Sequence, residues 1–212
     1  MAMDVTDFFR ASAGRWFSQR NRLDLTGRRA EGGRSEVEIA CLAADDPRAV
    51  GLCRLGGIDP ERAAGALLIE WKGALDFDTK TYAGRSLLVS VPDAPGSEQG
   101  DLVAQNGAGG EPMVGRFRMG EDDALTLLTC QGAVEIKERL LFASPNLRLR
   151  ASVVTGPDGL SVTTFCSEVR RAEAPPAQQS PQTQARTWPS QTNELPDWIT
   201  EEMANKGDNP EV

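Results

Sequence analysis

Glu138-Arg139-Leu140-Leu141-Phe142-Ala143-Ser144-Pro145-Asn146-Leu147-Arg148-Leu149-Arg150 reads as two strands joined by a Ser-Pro-Asn turn. Period-two alternation places Val134, Ile136, Glu138 and Leu140 on one face of the first strand. It places Arg148 and Arg150 on one face of the second, with Leu147 and Leu149 on the other. A bulge after Pro145 would separate the two arginines. An acid therefore stands among apolar neighbours, close to two guanidiniums. A carboxylate on an apolar face is costly unless it is paired or protonated, and this invites a functional reading. In an isolated hairpin the same pattern is ordinary cross-strand ion pairing, and the hairpin alone favours that reading.

Working outward, turn chemistry divides the rest of the chain into short strands. Asp93-Ala94-Pro95-Gly96, Asn106-Gly107, Glu121-Asp122-Asp123, Gln131-Gly132 and Gly156-Pro157-Asp158-Gly159 bound strands at 85–91, 101–105, 113–119, 124–130, 133–142, 147–153 and 160–171. Upstream, Asp4 caps a helix in which Val5, Phe8, Phe9, Ser12 and Trp16 follow helical spacing. A strand from Trp16 to Leu25 has polar groups on both faces, which predicts that one face lines a cavity with polar anchoring points. After a turn at Glu31-Gly32-Gly33, Ser35, Val37, Ile39 and Cys41 form a half-buried strand. Asp45-Asp46-Pro47 opens a helix that Gly56-Gly57 closes, and Leu67, Ile69 and Trp71 alternate in the next strand. About ten short antiparallel strands result, an all-β chain whose strand count fits a closed barrel or a sandwich.

Composition sets further bounds. The chain has 212 residues, enough for one domain and an appendage, and the boundary falls near residue 172. Residues 1–172 read as the folded domain. Residues 173–212 hold six of the thirteen prolines among Gln, Ser and Thr, the composition of a flexible acidic tail. Within that tail Leu195, Trp198, Ile199 and Met203 form a short apolar island. The tail carries seven acids against Arg186 and Lys206, so −5 of the net −8 lies there and −3 remains for the folded part. A nearly balanced domain argues against nucleic acid as a general partner. No apolar run reaches bilayer-spanning length, and Met1 to Phe9 lacks a cationic, apolar leader, so a cytoplasmic protein without membrane insertion is expected. Four scattered cysteines and no histidine argue against a zinc site and a disulfide framework. Most of the cysteines are expected to be small buried residues, and Cys166 a plain strand residue. The lack of histidine also removes Ser-His and Cys-His nucleophile pairs, leaving carboxylates, tyrosine, lysine or thiols for acid-base chemistry.

Gly14-Arg15-Trp16 after a short helix resembles the entry of lipocalin-type barrels. Together with Trp16-Phe17-Ser18-Gln19-Arg20, the run Phe142 to Arg150, and Phe165-Cys166-Ser167-Glu168-Val169-Arg170-Arg171, the chain resembles the S-type (CpcS/CpeS) phycobiliprotein chromophore lyases over roughly residues 4–171. The resemblance implies a ten-stranded antiparallel lipocalin-like β-barrel with short N-terminal and connecting helices, from a cyanobacterium or related plastid. It implies a lyase that binds a phycobilin, phycocyanobilin or phycoerythrobilin, as substrate and without a separate cofactor or metal. The product is a thioether to a cysteine of a phycobiliprotein alpha or beta subunit. Arg20, Arg148 and Arg150 are then candidate propionate anchors, Ser18 lies in the matching motif, and Trp71 and Phe142 are candidates to stack on the pyrrole rings. For Trp16 the resemblance to lipocalin-type barrels implies instead a residue that closes one barrel end under Arg170. Glu138 becomes the candidate proton donor, and Asp24, in phase with Trp16 and Arg20, a second acid. Family members commonly carry a histidine near the Ser-Gln-Arg motif, where this chain has Asn21, Arg22, Leu23 and Asp24. That departure also admits a non-catalytic partner subunit or bilin chaperone, working as a homodimer or as a heterodimer with a related lyase.

Overall fold

A computed structural model describes residues 3–107 and 109–171. The tail proposed from composition lies outside the described residues. The strands are β1 Gly14–Asp24, β2 Arg29–Leu42, β3 Gly65–Leu75, β4 Thr81–Pro92, β5 Gln99–Asn106, β6 Met113–Met119, β7 Leu125–Gln131, β8 Val134–Ser144, β9 Leu147–Gly156 and β10 Gly159–Arg170. Each pairs antiparallel with its successor, and β10 returns to β1 along Trp16↔Arg170 to Asp24↔Val162. That last ladder decides between the two architectures open to ten strands. The sheet is a closed barrel with no free edge among these strands.

One expected turn is absent. Glu31, Gly32 and Gly33 lie inside β2, and the chain reverses between Asp24 and Arg29. The glycines serve close approach instead. A Cβ on Gly33 would meet the Ala74 carbonyl at 3.0 Å, and one on Gly32 the Asp76 carboxylate at 2.2 Å. The cysteines also divide differently from expectation: Cys53 and Cys166 are buried, whereas Cys41 and Cys130 are exposed. Cys130 has the outward parity of β7, in which Leu125 and Leu127 face in.

Helix α1, Val5–Ser12, starts where the Asp4 carboxylate accepts the Asp7 amide at 2.8 Å. Its buried stripe of Val5, Phe8, Phe9 and Ser12 packs into one end of the barrel with Trp16, Val37, Ile39, Leu67, Leu102 and Phe117. Helix α2, Pro47–Leu55, lies on the outside, where Ala49, Leu52 and Cys53 meet Val89, Val91 and Val103. Its cap Asp46 is held down to about 2 by hydrogen bonds from the side chain and backbone of Arg48. The barrel thus has one end plugged by α1 and filled with apolar side chains, and a second end left open.

The plug is fastened at one point. Trp16 is buried, its Nε1 donates to the Ser12 carbonyl at 2.9 Å, and the Arg170 guanidinium lies 4.1 Å from the ring centroid. The same guanidinium donates to the carbonyls of Ala11 and Ala13, each at 2.6 Å, which are orphan acceptors of the helix end. Gly14 takes φ +124, and any Cβ there would lie 2.7 Å from Arg170 Nη1, so the Gly-Arg-Trp entry is dictated by the arginine. Replacing Arg170 with Ala removes these two charge-assisted bonds, a third from Nε to the Pro145 carbonyl at 3.2 Å, and the stacked cation. The expected cost is about 3 kcal/mol, read as a fall in the urea midpoint at constant slope. Arg170→Lys recovers only a minor part, because an ammonium cannot span both carbonyls while lying flat on the indole.

Candidate functional site

The open half encloses a cavity of about 580 Å³, within the range that holds cofactor-sized ligands. Its two walls differ. Leu67, Ile69 and Trp71 of β3, Leu88 of β4, Leu102 of β5 and Leu127 of β7 make an apolar side. The inner faces of β1, β8, β9 and β10 carry Ser18, Arg20, Glu138, Arg148, Arg150 and Glu168. A second chamber of about 360 Å³, which includes Arg22 and Cys166, shares Arg20, Glu138 and Arg150 with the first.

The barrel register stacks the charged wall in rungs. One runs Phe142, Arg148, Glu168, Ser18 across β8, β9, β10 and β1. The next, nearer the mouth, runs Leu140, Arg150, Cys166, Arg20. No bulge follows Pro145: the register shift lies upstream, between Phe142 and Ser144, and Arg148 and Arg150 stay in phase.

Arg148 Nε donates to Glu168 Oε2 at 2.6 Å, with only 4% of the arginine side chain and 1% of the glutamate side chain exposed. Arg150 reaches Glu168 and Glu138 at 3.7 Å each and donates to Cys166 Sγ at 3.6 Å. Burial pushes the Arg148 guanidinium below its ordinary value, and Glu168 opposes the shift. For Arg150 burial acts in the same downward sense, but Glu138 and Glu168 outweigh it and the net direction is up. Arg20 makes no ion pair among the described residues. The inner wall therefore sets three guanidiniums against two carboxylates, and the unmatched cation is Arg20.

The structure brings together Ser18, Arg20, Trp71, Glu138, Arg148 and Arg150 on the cavity lining. It does not bring Phe142 or Asp24 there. The Phe142 ring packs against Phe8 at 5.0 Å and Trp16 at 6.1 Å, which makes it part of the plug. Asp24 ends β1, and its carboxylate accepts the Gly27 amide at 2.8 Å to shape the β1–β2 turn. Glu168 is the residue that strand reading passed over. Alternation through Phe165-Cys166-Ser167-Glu168 puts it in phase with Arg170 over Trp16, a signal that was available.

The chain matches the family model described as CpeS-like protein over residues 4–171. The chain belongs to the CpeS-like family. Among curated relatives, Chromophore lyase CpcS/CpeS 2 of Synechococcus sp. (strain JA-3-3Ab) is 45% identical, covering 82% of this chain and 94% of that protein. Chromophore lyase CpcS/CpeS of Thermosynechococcus vestitus is 41% identical over 84% and 98%. The Phycocyanobilin lyase subunit CpcS of a Picosynechococcus strain is 36% identical over 81% and 88%. The solved S-type phycobiliprotein lyase of Guillardia theta superposes with a TM-score of 0.71 at 29% identity, covering 81% of this chain and 95% of that one.

For this CpeS-like chain the buried pair sets a stability test. Glu168→Ala leaves the Arg148 charge buried without its counter-ion, an expected loss of about 3–5 kcal/mol by denaturant unfolding. Removing both charges, as Arg148→Met with Glu168→Leu, is expected to recover most of it.

Proposed function

We propose that this CpeS-like protein is a chromophore lyase that takes a phycobilin, phycocyanobilin or phycoerythrobilin, as substrate and joins it to a cysteine of a phycobiliprotein alpha or beta subunit. The reading is carried by the split cavity with its uncommitted Arg20. An open-chain tetrapyrrole has a flat apolar conjugated body and two propionates on one side. A chamber with one apolar wall, one guanidinium-rich wall and an excess cation complements that distribution. Arg20 takes one propionate. Arg150, whose carboxylate contacts are long, retains N–H donors for the other. Arg148 is committed to Glu168 through its Nε and acts by holding the wall in place. Trp71 offers the aromatic surface.

The chemistry is addition of a thiol across the ethylidene double bond of ring A. Sulfur bonds to the exocyclic carbon, and a proton is delivered to the ring carbon. Glu138 lines both chambers, which supports it as the proton donor to the pyrrole nitrogens that makes ring A electrophilic. The barrel supplies orientation and excludes competing water. The bilin enters as substrate, so no resident cofactor or metal is required. Four free cysteines suit a reducing, cytoplasmic setting. Among the described residues no helix is long and apolar enough to cross a membrane.

A second reading has two observations behind it. The chain lacks histidine, and one relative is named as a lyase subunit. In that reading the protein is the non-catalytic half of a heterodimer with a related lyase, or a homodimeric bilin chaperone. Incubation with phycocyanobilin and apo-subunits, with and without a related lyase, separates the two: product from this protein alone supports the first.

Within the first reading Arg20→Ala is expected to weaken phycocyanobilin binding about tenfold or more by absorbance titration. Glu138→Gln is expected to keep binding and lower the attachment rate by about a hundredfold. Normal product yield from Glu138→Gln would remove the carboxylate from the mechanism.

A further inference from the structure

Among the described residues, four of the ten exposed large apolar side chains lie at the open end. Leu25 lies in the β1–β2 turn, Phe77 in the β3–β4 turn, Tyr82 at the start of β4 and Leu160 at the start of β10. They form an arc on one side of the mouth. The Leu25 amide donates to the Ser161 carbonyl at 2.9 Å, which sets Leu25 beside Leu160, and the Asp76 amide donates to the Gly32 carbonyl at 2.9 Å, which ties the Phe77 turn to β2. Immediately behind the arc, on the outer wall, a groove of about 520 Å³ is lined by Leu23, Ala30, Ala151, Val153, Thr163 and Phe165. The groove shares Arg22, Ser152 and Thr164 with the mouth chamber, so a single layer of sheet separates outer groove from inner site.

Phe77 is the residue hardest to explain by folding. Its backbone takes φ +64, a region that suits glycine and is an outlier for an aromatic residue, and its side chain is fully exposed. Glycine would relieve the backbone and remove an apolar ring from water. The ring therefore opposes the stability of the isolated barrel on both counts, as residues kept for contact do.

We propose that this arc and groove are the docking surface for the acceptor polypeptide, with Phe77 as its anchor. The inference rests on the lyase reading. That reaction joins a ligand inside the barrel to a cysteine on another chain, and a cysteine side chain is too short to project far from its own backbone. The α1 end is closed. The acceptor backbone must therefore lie on the open rim, and the apolar side of that rim is where contact removes area from water. The partner that fits is a folded polypeptide presenting apolar residues around its cysteine, seated across β10, β1, β2 and the β3–β4 turn.

The test uses the full-length protein, phycocyanobilin and apo-phycocyanin alpha and beta subunits. Phe77→Gly is expected to unfold no earlier than the parent and to bind phycocyanobilin with unchanged affinity. Its KM for the acceptor subunit is expected to rise about tenfold or more at unchanged kcat. Leu25→Ser with Leu160→Ser should act in the same direction, while Leu55→Ser, exposed on α2 away from the mouth, should change nothing. A benzophenone side chain placed at position 77 should crosslink to the acceptor. An unchanged KM in an active enzyme overturns this proposal and leaves the lyase reading standing. Loss of phycocyanobilin affinity in Phe77→Gly overturns it by assigning the rim to ligand retention. Self-association of the parent that Phe77→Gly abolishes overturns it in favour of a second copy. A parent protein that attaches no bilin to either subunit removes the lyase reading and this one together.

Discussion

The ion pair between Arg148 and Glu168 is the constraint on which the rest of the structure turns. Two full charges are held inside a barrel whose other contents at that depth are largely hydrocarbon, and each is tolerable only because the other is 2.6 Å away. The pairing fixes the β9–β10 register, since a one-residue slip of either strand would send its member of the pair to the outside, bring Leu147 or Val169 inward and leave the other charge buried alone. It also ties the plug to the cavity. The Arg148 guanidinium lies 5.2 Å from the Trp16 ring on one side and shares Glu168 with Arg150 on the other. Helix docking, barrel closure and site geometry are therefore parts of one packed unit.

The charged wall follows from adding two guanidiniums and one carboxylate to that pair. Arg150 joins Glu168 to Glu138, and Arg20 stands opposite Cys166 on the neighbouring strand. A barrel that needed only to fold would match its interior charges or omit them. Here the count stops one carboxylate short, on the strand that faces the larger chamber. In the proposed function a propionate completes the set, which is why the unmatched cation is a stronger pointer to ligand chemistry than the matched pair.

Much of this was legible in the sequence because β-strand parity is a strict rule. Alternation grouped Ser18 with Arg20, and Arg148 with Arg150, and set Glu138 among apolar neighbours; the barrel makes each of those faces an inner one. Parity says nothing of depth along the barrel axis. Phe142 and Asp24 face the expected way but lie at opposite ends, one in the plug and one at a turn, and neither lines the cavity. Glu168 was missed because its meaning depends on a partner twenty residues away that only the β9–β10 register supplies. Gly32 and Gly33 misled for a related reason: a glycine pair marks either a reversal or a close approach, and here Gly33 approaches the β3 backbone and Gly32 the Asp76 side chain just beyond it. The closed barrel itself became certain only with the ladder between the first and last strands.

That ladder has a consequence for the order in which the molecule acquires its site. β10 supplies Glu168, pairs with β1 across a separation of about one hundred and fifty residues, and is the last strand of the barrel to leave the ribosome. Nine strands without it leave Arg148 facing water with no counter-ion and the Trp16 end uncovered. Ligand recognition is therefore an all-or-none property of the completed chain, dominated by the slowest class of contact to form. An incomplete or partly opened barrel cannot hold a reactive pigment, and premature capture is excluded by topology.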